Sequence, residues 1–201
     1  MAGAHEELEH AEHAEHAAHS NRGIALLISV LALFLALGET MGKSAQTNAI
    51  TWNVKASDLW AFYQAKTIRK YTLEAAGATM AIEASRTTDP AVKDAQQKQI
   101  NRWKQEAARL DDEPGKDGRK QLMEQARHAE ELREHDLAKY HHFEISSAAF
   151  QIGIVLASAT IITGMMALAW LSGALGLVGL VFMGIGLFAP EAVHLLGAAA
   201  H

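Results

Sequence analysis

Two long apolar tracts, one near each end of the chain, enclose a polar middle stretch. The first tract, residues 23–37 (GIALLISVLALFLAL), has no charged residue, and Glu39 is the one ionisable residue before Lys43. Since a helix of about 20 residues crosses the hydrocarbon core of a bilayer, residues 23–42 predict a first membrane-spanning helix. A cleaved secretory signal is the alternative, which the His- and Glu-rich flank disfavours because such signals begin with a basic segment.

The second apolar tract is longer and contains a possible break. It extends without a charge over residues 145–171, and it predicts a second spanning helix at residues 148–171 with Trp170 as an interfacial anchor. After Ser172-Gly173 the apolar run resumes over residues 174–189. This run is short, and we predict that it crosses the membrane as the second half of a tight hairpin; a re-entrant half-helix is the alternative.

The stretch between the spans, residues 43–147, shows no strand-like alternation and predicts three helices. Helix-breaking residues cluster at 85–90 and at 111–118. The predicted helices are one that leaves the membrane and reaches about Ala84, one from Pro90 with Asp89 as N-cap to about Leu110, and one from about Arg119 into the second span. The predicted fold class is an all-α membrane protein with three transmembrane helices and a long-helix, coiled-coil-like hairpin or bundle between the first and the second.

Basic residues near the membrane segments lie mostly on the side of the middle domain. They are Lys43, Lys55, Arg127, Arg133 and Lys139, against Arg22 on the other flanks. Because cytoplasmic loops carry an excess of Lys and Arg, this pattern places the middle domain in the cytoplasm and the N-terminal tail, residues 1–22, outside. Residues 190–201 form a short C-terminal tail. The predicted location is a bacterial inner membrane, with the lipid bilayer as the first partner.

The composition argues against several classes of protein. Hydrophobic residues make up 49% of the chain and charged residues 20%, and the net charge of −5 arises mainly in the N-terminal tail, where five Glu accompany one Arg. This charge distribution disfavours nucleic-acid binding. The absence of cysteine excludes disulfides and thiolate chemistry. Common hydrolase, nucleotide-binding and zinc-protease motifs are missing, so we expect a non-enzymatic protein.

The first helix of the middle domain carries two apolar stripes on nearly opposite sides. At 100° per residue, one stripe contains Ile50, Val54, Ala61, Ile68 and Ala75, and the other contains Trp52, Leu59 and Tyr63. One partner helix covers only one of them, so the second stripe must meet another helix of the domain, another protomer or the membrane surface. The predicted interaction surface consists of Trp52, Leu59, Trp60, Tyr63, Lys66, Arg69 and Lys70.

Two segments carry a resemblance to a known family. They are residues 57–69 (SDLWAFYQAKTIR) and residues 150–158 (FQIGIVLAS). With the overall layout, they resemble an uncharacterised bacterial membrane-protein family catalogued as domain of unknown function 4337. The resemblance covers most of the chain and implies the architecture of one span, a helical middle and a hydrophobic C-terminal pair, but it brings no assigned activity.

The N-terminal tail repeats His every third residue, at His10, His13, His16 and His19. Imidazole and carboxylate side chains together suit Zn, Ni or Cu(II), so these four residues are candidate metal ligands. A helix would let neighbouring pairs share an ion but could not direct all four to one ion. The alternative is a solvated tail that binds nothing, because a His tract is only compositional evidence.

Further candidates lie on the third helix and in the first span. His128, His135 and His142 follow one another at heptad spacing, and we expect them on a polar face or at a protomer interface because the apolar positions lie on another face. A ferritin-like di-iron site is excluded because no second helix carries the ExxH pattern. Glu39 suggests ion transport, with an interfacial ion pair to Lys43 as the simpler interpretation.

Glycines in the apolar tracts predict close helix packing and a homo-oligomer. The glycines predicted to mediate it are Gly38, Gly42, Gly173, Gly176 and Gly179. The leading functional hypothesis is an oligomeric scaffold or an accessory subunit of a larger membrane protein complex. The alternatives are a metal-binding or sensing protein that uses the His tail, and a small oligomeric transporter or channel.

Overall fold

The computed structural model describes the backbone of residues 2–192 except residues 114 and 116, and within that range the side chains from Arg22 onward. Four helices make up the fold: α1 (Ala2–Arg86), α2 (Pro90–Asp111), α3 (Arg119–Thr163) and α4 (Met166–Phe188). The described residues contain no β-strand, which confirms the prediction of an all-helical chain. Three of the helices are long and apolar enough to cross a membrane; they are α1 from Arg22 onward, α3 and α4.

The predicted limits of the helices in the middle stretch are confirmed. The Asp89 carboxylate accepts a hydrogen bond from the Ala91 N–H at 2.8 Å, so Asp89 caps α2 and Pro90 occupies its first turn. At the other end, the Asp112 N–H donates to the Ala108 carbonyl at 3.1 Å and ends α2. These local signals act over only a few residues, which is why the sequence reveals them.

The break between the last two helices lies elsewhere than predicted. Gly164 adopts a left-handed backbone with φ of 71°, and its N–H donates to the Thr160 carbonyl at 2.9 Å. That conformation favours glycine and ends α3 at Thr163. The prediction of a break at Ser172-Gly173 was wrong: both residues lie inside α4, where the Ser172 hydroxyl donates to the Gly153 carbonyl at 2.7 Å.

This shift changes the lengths of the two apolar segments. The apolar part of α3 ends eight residues before Leu171, at Thr163, while α4 gains its first two turns and reaches 23 residues. A helix of that length extends about 35 Å, which is sufficient for a full crossing of the hydrocarbon core. Trp170 consequently lies in the first turns of α4 and not at the end of the preceding segment, and its side chain is exposed.

The chain divides into two compact units. Unit 1 comprises Met1–Asn48 and His135–His201, and unit 2 comprises Ala49–Glu134. The core of unit 1 is built around Phe150, which is fully buried and stacks on Phe34 at 5.9 Å between ring centroids. The other buried members of this core are Leu31, Ala45, Phe143 and Met183.

Unit 2 is a three-helix arrangement of the second half of α1, α2 and the first part of α3. Its buried apolar side chains come from all three helices and include Ala56, Ala84, Ile100, Leu110, Leu122 and Ala126. Leu122, Ala126 and Ala129 follow one another at three- and four-residue spacing, so they form one apolar face of α3. The unit therefore buries one stripe of each helix.

Candidate functional site

The side chains predicted as an interaction surface make contacts inside unit 2. Trp60 donates its indole N–H to Glu130 of α3 at 2.9 Å and packs edge-on against Tyr63 at 5.4 Å between centroids. Trp52, Leu59, Trp60 and Tyr63 are all partly buried. This stripe of α1 consequently faces the helices of its own unit.

The three cations of that predicted surface are also engaged within unit 2. Lys66 donates to the Asp117 carbonyl, Arg69 pairs with Glu106 at 3.1 Å, and Lys70 pairs with Asp111 at 3.2 Å. Arg69 and Lys70 link α1 to α2, and Lys66 links α1 to the connection between α2 and α3, although exposed ion pairs contribute little stability each. Their charges are thus directed at partners within the chain, although Arg69 remains largely exposed.

Arg119, the first residue of α3, joins all three helices of unit 2. Its guanidinium donates to the Thr67 hydroxyl at 2.8 Å and to the Tyr63 hydroxyl at 3.0 Å, and it also contacts the Asp111 carboxylate. The same group lies over the Tyr63 ring, 5.0 Å from its centroid. The guanidinium presents its N–H donors in a fixed planar fork, which suits contacts with three separate partners better than the single ammonium nitrogen of a lysine.

The charges of this network shift the titration of its members. Burial by itself raises the pKa of Asp111, but the hydrogen bond and charge of Lys70, together with Arg119, outweigh it, so the pKa of Asp111 lies below its ordinary value. Burial likewise acts to lower the pKa of Arg119, and the interactions with Tyr63 and Asp111 outweigh it and raise that pKa. Both groups are therefore charged in the folded unit at neutral pH.

Acidification should lower the free energy of unfolding of unit 2, because it protonates the Asp111 carboxylate. A carboxyl group whose folded pKa lies below its unfolded value of about 3.9 stabilises the fold above that pH, and the contribution is lost as the pH falls through the folded pKa. We expect Asp111→Asn to lower the free energy of unfolding by about 1 kcal/mol at pH 7, a value reduced by partial exposure of the pair. The variant should then lose less additional stability than the parent below pH 4.

The measurement can be restricted to this unit. Three of the four tryptophans lie in unit 2 and the fourth is Trp170, so fluorescence-monitored unfolding in a Trp170→Phe background reports on unit 2 alone. Asp58→Asn is the matched control, because the Asp58 side chain is exposed on the same unit. Equal pH dependence in Asp111→Asn and in the parent would contradict the assigned role of Asp111.

The side chains on the face of α1 opposite to this network are exposed. Its apolar side chains repeat with heptad spacing, and the large ones are exposed: Ile50 by 59%, Val54 by 54%, Ile68 by 68%, Tyr71 by 59% and Ile82 by 56%. Smaller residues occupy the intervening heptad positions and are exposed as well. We call the ten residues the outer seam; they are Ile50, Val54, Ser57, Ala61, Gln64, Ile68, Tyr71, Ala75, Ala78 and Ile82.

The sequence pattern identified half of the outer seam but not its full extent. Five of its ten members were assigned to one apolar stripe, while Tyr71, Ala78 and Ile82 were missed, as were the polar Ser57 and Gln64. The signal that locates them is a pair of series with a strict spacing of seven. One series is Val54, Ala61, Ile68, Ala75 and Ile82, and the other is Ile50, Ser57, Gln64, Tyr71 and Ala78. The seam extends about 48 Å along the helix, because each residue adds about 1.5 Å.

Eight of the eleven histidines separate into three groups. His10, His13, His16 and His19 lie on the helical backbone of α1, and their side chains fall outside the described residues. His128 and His141 are exposed beside Glu131 and Glu144. His135 and His142 both contact the chain just after α4: the His135 ring lies 3.0 Å from the Glu191 carboxylate, and the His142 ring lies 3.0 Å from the Pro190 carbonyl.

The expectation that His142 points to solvent or to a protomer interface was wrong. It is buried, and its ring stacks on Phe182 at 6.1 Å between centroids. A distant residue causes this, because the hydrogen-bond partner of His142 is Pro190, 48 residues along the chain. Among the described residues, no group of three or more His, Asp or Glu side chains is arranged to hold a metal ion.

Four of the five predicted packing glycines lie at close contacts inside unit 1. A Cβ on Gly38 would lie 3.0 Å from the Ser147 hydroxyl, and one on Gly42 would lie 3.3 Å from Phe143. A Cβ on Gly176 would lie 2.7 Å from Leu31, and one on Gly179 would lie 2.7 Å from Phe150. Gly173, in contrast, has open space around it. The glycines at these close contacts therefore allow helices of the same chain to pack together; they are Gly38, Gly42, Gly176 and Gly179.

Comparisons with known proteins assign the family. The family model described as "Domain of unknown function (DUF4337)" matches residues 20–189, which is most of the chain. The chain therefore belongs to this family. Neither the curated proteins nor the solved structures contain a match.

Proposed function

We propose that this member of the DUF4337 family is a non-enzymatic, membrane-anchored scaffold that forms a parallel homodimer through the outer seam. In this proposal α1, α3 and α4 cross the inner membrane of a bacterium, and unit 2 lies in the cytoplasm. The paired units then provide a rigid platform on which a larger membrane assembly forms. The observation that carries the proposal is the outer seam, an exposed apolar stripe with heptad spacing.

The side chains of the seam suit a two-stranded parallel pairing. Val54, Ile68 and Ile82 occupy one class of core position, which is where β-branched residues lie in parallel dimers. Alanines between them let the two backbones approach. Gln64 adds register specificity, because its buried amide finds the same group of the second copy in only one alignment.

Membrane insertion supports the parallel direction. Copies that insert by the same signals have the same orientation, so their α1 helices run side by side in the same direction. The charged residues at the edge of the seam are compatible with a parallel pairing. In register, Glu74 faces Thr79 of the second copy and Asp58 faces Asn53, so no like charges oppose each other.

The absence of cysteine provides a direct test. A single Ala75→Cys substitution puts a thiol on the seam, and in a parallel in-register dimer this thiol lies opposite its own copy, within disulfide reach. We expect oxidation of membranes that contain this variant to give a reducible dimer on a denaturing gel. Phe62→Cys is the control, because Phe62 is exposed on the same helix but lies about 120° away from Ile68.

The outcome distinguishes this pairing from random collisions in the membrane. Cross-linking at Ala75→Cys together with a monomeric Phe62→Cys supports the proposal. Equal cross-linking of the two variants, or cross-linking of Phe62→Cys alone, would show that the outer seam is not the contact between copies.

A further inference from the structure

An open groove lined by apolar and charged side chains lies on the surface of unit 1 between α1 and α3. Its volume is about 480 Å³, which is within the range of small-ligand sites. Gly38 and Gly42 form its floor, and Glu39, Lys43, Glu144 and Gln151 are among the side chains around it. The groove exists because the two glycines bring α1 close to Ser147 and Phe143 and leave no side chain in the space beside them.

The groove extends from the polar end of the spanning segments into the apolar region. Glu39 is the first ionisable residue after the apolar tract of α1, and Lys43 lies one turn, or about 6 Å, further toward the polar end. On α3, Gln151 lies about 10 Å beyond Glu144, within the uncharged stretch that ends at Thr163. The two deep groups meet, because the Gln151 amide donates to the Glu39 carboxylate at 3.1 Å.

The charged groups around the groove are of both signs and are not neutralised by one another. Among the described residues, neither Lys43 nor Glu39 takes part in an ion pair. The Glu144 carboxylate accepts a hydrogen bond from the Tyr140 hydroxyl at 3.4 Å and lies 3.6 Å from the His141 ring. Glu39 is exposed within an apolar segment, where an ionised carboxylate without a cationic partner is costly.

We propose that this groove binds the headgroup of an aminophospholipid, with the lipid phosphate on Lys43 and the primary ammonium on Glu39 and Glu144. A primary ammonium has three N–H donors, which the carboxylates can accept, and a lysine is a common phosphate partner. Gly38 and Ala148 have no long side chain, which leaves room for the glycerol portion. The proposal relies on the membrane placement proposed above but not on pairing through the outer seam.

The chemistry predicts an order of preference among lipids. A quaternary choline headgroup has the same charges but no N–H donor, so it cannot donate hydrogen bonds to Glu39 and Glu144. A glycerol headgroup has no cation and brings a net negative charge beside two carboxylates. Ethanolamine lipids should therefore bind more strongly than choline or glycerol lipids with the same acyl chains.

Native mass spectrometry of the full chain tests this order. The detergent-purified protein is mixed with equal amounts of phosphatidylethanolamine, phosphatidylcholine and phosphatidylglycerol with matched acyl chains, and the retained lipids are counted. We expect ethanolamine lipid to be retained at least about fivefold over each of the other two. Glu39→Gln and Lys43→Gln should each reduce that ratio to near one, whereas Lys43→Arg should preserve it.

Matched controls lie on unit 2, where Glu124→Gln and Lys93→Gln make the same chemical changes at exposed positions outside the groove. They should leave the ratio unchanged. Equal retention of the three lipids by the parent chain, or an unchanged ratio in Glu39→Gln, would overturn the proposal.

Two further measurements separate this proposal from the proposed function. If the groove variants abolish the Ala75→Cys cross-link and leave lipid retention unchanged, the groove is a contact between copies and the lipid proposal is wrong. If the cross-link is absent but the lipid preference holds, only the seam dimer fails. Release of the protein from membranes by alkaline carbonate would contradict the membrane placement on which both depend.

Discussion

Gly179→Ala is expected to destabilise unit 1 by about 1–3 kcal/mol, the usual effect of adding a methyl group to a filled core. A Cβ at this position would lie 2.7–2.9 Å from three carbon atoms of the Phe150 ring. That ring cannot move away at low cost, because it is fully buried and stacks on Phe34. The backbone cannot shift freely either, since the Gly179 carbonyl accepts a hydrogen bond from Ser146 at 2.8 Å.

Gly184→Ala is the matched control and should change stability in the opposite direction. Gly184 lies on the same helix, five residues further along, and a Cβ there would have nothing within 4 Å. Replacement of glycine by alanine inside a helix adds up to about 1 kcal/mol of helix propensity when no clash occurs. Thermal unfolding in detergent, followed by helical circular dichroism, measures both variants. Equal midpoints for the two would contradict the close contact between Gly179 and Phe150.

The sequence allows the ends of α2 to be predicted but not the break between α3 and α4, and the difference is one of range. Asp89 and Pro90 start α2 through contacts with the next two residues, so the signal is local. The break depends on which of several glycines adopts a positive φ. Thr163-Gly164 and Ser172-Gly173 each combine a hydroxyl residue with a glycine, so composition does not separate them. The Ser172 hydroxyl donates to the Gly153 carbonyl on α3, and Ser172 and Gly173 remain inside α4.

The sequence of α1 alone likewise does not show which of its faces packs inward. Periodicity predicts two apolar stripes on opposite sides, and each could pack against α2 and α3. The choice is made by groups far along the chain: Glu130 accepts from Trp60, and Arg119 donates to Tyr63 and Thr67. No pattern within α1 contains that information. The predicted interaction surface was consequently assigned to the Trp60 side, whereas the exposed stripe is on the Ile68 side.

The glycines lead to a related conclusion about oligomers. A small-residue pair such as Gly38 and Gly42 is typical of contacts between separate helices, which is why the sequence predicts a homo-oligomer. In unit 1 both glycines contact α3 of the same chain, so close packing within the chain already accounts for them. The proposal of a homodimer therefore depends on the outer seam, and the two features are tested by different substitutions.

Ile68→Glu should abolish pairing through the outer seam while leaving the monomer folded. Ile68 is the central residue of the seam and its side chain is 68% exposed, so a glutamate there meets only solvent in the monomer. In the dimer the same substitution buries two carboxylates against each other without a counter-charge, which is strongly unfavourable. We expect the dissociation constant to rise at least about 100-fold, equivalent to about 2.7 kcal/mol.

Phe62→Glu is the control, because it exchanges another exposed apolar side chain of α1 for the same charge outside the seam. Light scattering with correction for bound detergent should give a dimer mass for the parent and for Phe62→Glu, and a monomer mass for Ile68→Glu at the same concentration. Circular dichroism should give the same helix content for all three, since neither substituted side chain is buried. A dimer mass for Ile68→Glu, or a monomer mass for Phe62→Glu, would mean that the copies associate through a surface other than the outer seam.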